Sequence, residues 1–171
     1  MIILELLRVV DNNGNDTNEI LEREELHKAI WSIADDLRGS VDGWDFKQYI
    51  LGIMFYRYIS ENITNYINEG ERKAGDVNFD YAKLSDEEAE TIRKEMVNEK
   101  GFFILPSELF DNVCKKAKDD ENLNETLERI FNNIENSAKG AESEEDFAGL
   151  FDDIDVNSNK LGATVAKRND K

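Results

Sequence analysis

The chain has 171 residues, enough for one domain of ordinary size and hardly for two. Hydrophobic residues at 40% supply a core and exclude a chain disordered by composition. With 38 acids against 21 bases the net charge is −17, which excludes a freestanding nucleic-acid binder working by bulk charge.

Residues 1–10 are apolar, but Glu5 interrupts them, no basic run precedes them and no small-residue cleavage site follows. They do not read as a signal peptide. No stretch reaches the roughly 18 apolar residues that span a bilayer, so no membrane association is expected. The single cysteine, Cys114, excludes an intramolecular disulfide framework and fits a reducing compartment, so the cytoplasm is the expected location. Residues 11–17 (DNNGNDT) form a polar, turn-prone stretch that marks 1–17 as an extension and 18–171 as the domain.

One proline, ten glycines and many helix formers predict an all-α fold, an orthogonal-type helical bundle of about five to seven helices. The first helix covers about 18–37, where Leu26, Ile30, Ile33 and Leu37 make one stripe on a 3.6-residue repeat. Residues 38–43 end it, with Gly39 suited to a left-handed cap. That short link brings Trp31 and Trp44 together. The next helix, about 45–68, lines one face with Phe46, Tyr49, Ile50, Ile53, Tyr56, Ile63 and Ile67. Leu51, Met54, Phe55, Tyr58 and Ile59 cover much of the rest. A helix apolar nearly all round is central to a bundle or docks against a second partner.

Residues 69–80 read as a charged loop. Ser85 and Glu88 form a capping box for a helix to about Asn98. The run GFFIL at 101–105 allows at most one short β pair, with the stretch around Phe79 and Tyr81. Pro106 and Ser107 start a helix to about Lys118. Asn122 and Glu125 repeat the cap pattern ahead of Leu123, Leu127, Ile130, Phe131 and Ile134. Ser143 and Asp146 open a last short helix with Phe147, Leu150 and Phe151.

The catalytic options are few. His27 is the only histidine and reads as a surface or cap residue, and Cys114 as a small core or boundary residue. Nothing pairs them as nucleophile and base, and structural zinc would need several such ligands. The run from Asp153 to Asn159 offers oxygens at positions 1, 3, 5 and 7 of a calcium-type loop. Ser158 stands where that loop needs glycine and Thr164 where it needs a bidentate glutamate, so it reads as a solvated acidic loop. Neither glycine-rich phosphate signature is present. The pairs Asp35–Asp36, Asp119–Asp120 and Asp152–Asp153 lie at helix ends or in loops, and nothing singles one out as a catalytic pair. By themselves the residues describe a helical module with no visible active site.

The run ELHKAIWSIADDLRG at 25–39, followed by WDFKQYILGIMFYRYISE at 44–61, resembles the N-terminal helical domain of the modification subunit of type I restriction–modification systems. FFILPSELF at 102–110, the stretch from Leu123 to Glu135, and the pairs Leu150–Phe151 and Ile154–Asp155 agree with it. The similarity runs from about Leu21 to the C-terminus and is absent from 1–20. The resemblance implies a subunit that transfers a methyl group from S-adenosylmethionine to adenine N6 in a bipartite DNA target. In that family a Rossmann-like catalytic domain follows the helical domain and carries an Asn/Asp-Pro-Pro-aromatic motif. This chain, with Pro106 alone, lacks the motif, so no catalytic, cofactor-binding or metal residue is assigned within it and S-adenosylmethionine is expected for the full-length subunit.

The implied partners are the specificity subunit, other modification subunits and the restriction subunit, with DNA reached through the assembled complex. Tyr56, Arg57 and Tyr58 have the composition of an interface hot spot, and equally of the core of a central helix. Lys115, Lys116 and Lys118, or Lys167 and Arg168, are candidates for DNA-backbone contacts, and equally a solvated helix face and a frayed tail. The alternative to an assembly domain is a freestanding helical protein–protein adaptor.

Overall fold

The computed structural model describes residues 43–154, and the first predicted helix, His27, Trp31, Lys167 and Arg168 lie outside them. Trp44 is within the central helix, but its side chain is also outside the description. Six α-helices make up the described part: α1 (Gly43–Ala74), α2 (Asp86–Glu90), α3 (Arg93–Lys100), α4 (Phe110–Lys116), α5 (Leu123–Ser137) and α6 (Glu144–Phe147). Two 3₁₀ turns, Tyr81–Lys83 and Pro106–Glu108, join them. The bundle is all-α, as expected.

Helix α1 is the central element. Tyr49, Ile50, Ile53, Tyr56, Ile63 and Ile67 are all buried on one face, together with Ile59. It runs past the predicted end, because Glu69, Glu71, Arg72 and Lys73 favour a helix as readily as a charged loop. It stops at Gly75, whose φ of +111° is the left-handed conformation glycine adopts without steric cost. There the amides of Gly75 and Asp76 turn back to the carbonyls of Arg72 and Glu71, satisfying two orphan acceptors of the last turn.

The second long element, α5, buries Leu123, Leu127, Ile130, Phe131 and Ile134 on its predicted stripe. Its predicted cap differs in detail. Asn122 makes no side-chain cap, and Asp120 accepts from the Asn122 amide at 2.9 Å and from the Thr126 hydroxyl at 2.7 Å.

Two predicted helices are each divided. The Ser85–Glu88 capping box forms in full, but the helix it opens ends at Glu90 and resumes at Arg93. Thr91 Oγ1 donates to the Glu88 carbonyl at 2.7 Å and tightens the chain between them. The segment after Pro106 begins as a 3₁₀ turn and becomes helical only at Phe110, because Leu109 is extended (φ −65°, ψ 142°). That kink lets Glu108 and Leu109 both point inward.

The allowed β pair near Phe79 and Phe103 does not form, and the described residues contain no strand. Backbone groups of the 101–105 run find side-chain partners instead. The Phe103 amide donates to Ser137 Oγ at 2.9 Å, and Tyr81 Oη donates to the Ile104 carbonyl at 2.8 Å. Ser143, at the start of α6, donates its hydroxyl to the Gly101 carbonyl. Each bond fixes a helix to this extended run, so GFFIL acts as a spine and not as a sheet edge.

Candidate functional site

The polar chemistry of the bundle gathers where α1, the Pro106–Glu108 turn and α5 meet. Tyr56, fully buried, sits edge-on between Phe110 and Phe131, with ring centroids 5.5 and 5.6 Å away. Its hydroxyl donates to the backbone carbonyl of Glu108. Burial pushes the phenol well above its ordinary range, and the Cys114, Glu108 and Asp111 side chains push the same way. Tyr56 therefore remains a neutral donor.

Glu108 is buried as well. Its Oε1 accepts from Asn133 Nδ2 at 2.7 Å and from Arg129 Nη1 at 3.2 Å. Burial raises its carboxyl above the usual range, against the lowering effects of the Asn133 bond and the Arg129 charge. Arg129 and Asn133 are one helical turn apart on α5, beside its apolar stripe. Nearby, the Phe110 amide donates to the buried Ser60 Oγ at 3.3 Å. The node thus satisfies a buried carboxylate, a buried phenol and the start of α4, and its arrangement supports positioning of helices.

The sequence reading missed this node. One signal was legible in retrospect: Glu108 is the single charged residue of FFILPSELF, and a carboxylate in so apolar a run needs a built partner.

The interface trio is divided by the structure. Tyr56 is a core residue, so it leaves the set of surface candidates. Arg57 lies half-buried, with Nε 2.6 Å from Glu61 Oε1 and its guanidinium 6.0 Å from the Phe110 ring centre. Tyr58 alone is largely exposed, at 63%. Leu51 and Met54 are exposed beside it, whereas Phe55 is half-buried against Phe151.

Lys115, Lys116 and Lys118 are all exposed at the end of α4. Two of them occupy its last turn, where the helix dipole favours cations. Lys115 Nζ donates to Asn112 Oδ1 at 3.3 Å. Asp111 precedes the cluster, and Asp119, Asp120 and Glu121 follow it, so the positive potential is local. Cys114 is half-buried on the same helix. Of the acidic 153–159 loop only Asp153 and Ile154 are described, and Asp153 accepts from Gln48 Nε2 at 2.9 Å. Among the described residues, no group of three or more His, Cys, Asp or Glu is placed to hold a metal ion. No helix among them is long and apolar enough to cross a membrane.

These features define an all-α bundle whose buried polar groups join its own helices. Residues 26–171 match the family described as the HsdM N-terminal domain, and the chain belongs to that family. Over 157 residues it is 45% identical to the type I restriction enzyme MpnII methylase subunit of Mycoplasma pneumoniae (strain ATCC 29342 / M129 / Subtype 1), a match covering 88% of this chain. The same match covers 29% of that relative, so the chain spans under a third of its length. No solved structure matches the chain. The resemblance found in the sequence holds, and nothing in these comparisons favours a freestanding adaptor.

Proposed function

We propose that this domain is the assembly module of a type I restriction–modification adenine-N6 methyltransferase subunit. It packs against the specificity subunit and other modification subunits, associates with the restriction subunit through the complex, and helps enclose DNA in the cytoplasm. The observation that carries this reading is the family match over 26–171, joined to 45% identity with a methylase subunit.

The described residues do not fit S-adenosylmethionine. A nucleotide-type donor needs a glycine-rich turn between a strand and a helix, and they contain no strand. The double-proline motif that builds the adenine pocket in the family is not in this chain, whose one proline is Pro106. In the family, donor binding and base flipping are the work of the catalytic domain, and on this reading the present domain contributes protein contacts.

The test is reconstitution. The full 171-residue chain, mixed with the specificity subunit and the modification subunit of its own system, is expected to co-elute with them in size-exclusion chromatography. Independent elution from both, with the chain folded by circular dichroism, would overturn the assignment.

A further inference from the structure

The chain around and after α6 is held to the bundle at two separate places. Upstream, Ser143 donates to the Gly101 carbonyl, and the Phe147 ring lies 5.2 Å from that of Phe102. Downstream, Phe151 and Ile154 are buried at 5% and 8% exposure, whereas no residue between Ala138 and Phe151 is buried. Gly149 stands between the two anchors with a φ of +69°, which glycine adopts without steric cost.

The downstream anchor is a seat of few parts. The Phe151 ring stacks on Phe131 of α5 at 4.3 Å and 9°, and leans on Phe55 of α1 at 6.2 Å. Ile154 fills the space over Gly52, and Asp153 accepts from Gln48 Nε2 at 2.9 Å. Gln48, Gly52 and Phe55 are spaced 4 and 3, so one stripe of α1 receives the segment. The Asp152 and Ile154 amides donate to the carbonyls of Gly149 and Phe151, inside the segment itself, and release leaves those bonds intact. The ties to the helices are the Gln48–Asp153 bond and the Phe151 amide donating to Glu135 Oε1 at 3.0 Å. Gln48 and Glu135 are each partly exposed, so water can take over both bonds.

We propose that residues 149–154 are a strap that opens about Gly149 as one unit while the helices beneath it stay folded. Segments held by few apolar contacts and by bonds that water can replace open below the free energy of global unfolding. A hinge needs only a short stretch that absorbs the change in φ and ψ. Closed, the strap directs the chain from Phe55 toward the start of α1. Open, it frees that path and bares Gly52, Phe55 and Phe131, next in sequence to the exposed Leu51 and Met54. This device goes beyond the assembly reading, and no partner enters it.

Hydrogen exchange of the whole chain, followed by NMR, tests the strap. The Phe151 and Ile154 amides should share one protection factor within threefold, at least tenfold below that of Ile130 in α5. Protection equal to that of Ile130 would mean that the segment opens only with the bundle. Much weaker protection at Ile154 than at Phe151 would mean fraying from one end. Either result overturns the proposal. Gly52→Leu fills the seat of Ile154 and should lower protection of the two strap amides at least tenfold more than that of Ile130. No change at the strap, or an equal fall at all three amides, would overturn it. In a Cys114→Ser background, bridging Gln48→Cys to Asp153→Cys with dibromobimane should raise protection of the strap amides at least tenfold. Unchanged exchange in the bridged chain would show that no lifting precedes exchange, and would overturn it too.

Discussion

The Cδ1 methyl of Ile154 lies 1.7 Å from the place a Cβ on Gly52 would occupy, and its Cγ1 lies 2.7 Å from it. The Ile154 side chain thus occupies the space that a side chain at residue 52 would need. Glycine inside a helix ordinarily costs about 0.5–1 kcal/mol relative to alanine. Gly52→Ala is expected to forfeit that gain, with no net stabilisation or a loss of about 1 kcal/mol, because the Ile154 side chain must shift to another rotamer in packed surroundings. In the Ile154→Ala background the same substitution should become stabilising, a coupling of about 1–2 kcal/mol in a denaturant double-mutant cycle. Additive effects would show that the two positions do not touch.

Ile53 is 2% exposed at the centre of the α1 face that meets the core. An aspartate there would be an unpaired charge in packed surroundings, so Ile53→Asp should cost several kcal/mol. The melting temperature checks it, and an unchanged cooperative melt would mean that the α1 register is wrong.

Much of this architecture was legible in the sequence, for a physical reason that also marks the limit. The α1 and α5 stripes follow the 3.6-residue period because burial selects apolar residues at that period, and Ile53 and Ile63 on α1, like Leu127 and Ile134 on α5, are buried where that period puts them. The Ser85–Glu88 box is local chemistry and formed as written. What the sequence hid is non-local. The break at Leu109 follows from a need to bury Glu108 against Asn133, 25 residues further on, and no local propensity records that distance. Tyr56 posed the same difficulty, since an aromatic on a central helix reads alike as core or interface until Phe110 and Phe131 close around it.

Replacing Tyr56 by phenylalanine keeps the ring packing and removes the hydroxyl that the Glu108 carbonyl accepts from. Tyr56→Phe should destabilise the domain by about 1–3 kcal/mol, because a buried acceptor loses this donor. Urea denaturation measures the cost, and a change under about 0.5 kcal/mol, the size of a surface substitution's effect, would mean the bond contributes nothing net.

Glu108 gives the pH dependence a sign. Burial raises its carboxyl in the folded state, so the native protein holds that proton more tightly than the unfolded chain does. The contribution to stability is complete below the ordinary carboxylate range and is lost as pH rises through the folded value. The carboxyls of Asp80 and Glu90 behave oppositely. Hydrogen bonds from Lys83 and Arg93 lower them, and their contributions are lost as pH falls through the lowered values. Glu108→Gln preserves size and an acceptor for Asn133 Nδ2, and removes the titration. Relative to the parent, this variant should gain stability as pH rises from the ordinary carboxylate value of about 4 through the raised folded value, in urea midpoints measured at a series of pH values. Parallel midpoints would show that Glu108 titrates alike in both states.

The lysine cluster of α4 tests how the domain meets DNA. Lys115, Lys116 and Lys118 are exposed side by side, but the flanking Asp111, Asp119, Asp120 and Glu121 confine their potential to a short range. The isolated chain, at −17, should therefore bind duplex DNA poorly near physiological salt, whatever those lysines do. In the reconstituted complex the outcome is different if the cluster lies along the backbone. Each phosphate that a lysine neutralises adds roughly 0.9 to the slope of log affinity against log salt, so replacing all three lysines by alanine should flatten that slope by about 2–3. Affinity should fall alike for specific and unrelated sequences, because backbone contacts position the protein without reading bases. An unchanged slope, with the complex intact by size-exclusion chromatography, would identify the cluster as a solvated helix end and place the DNA-facing surface elsewhere.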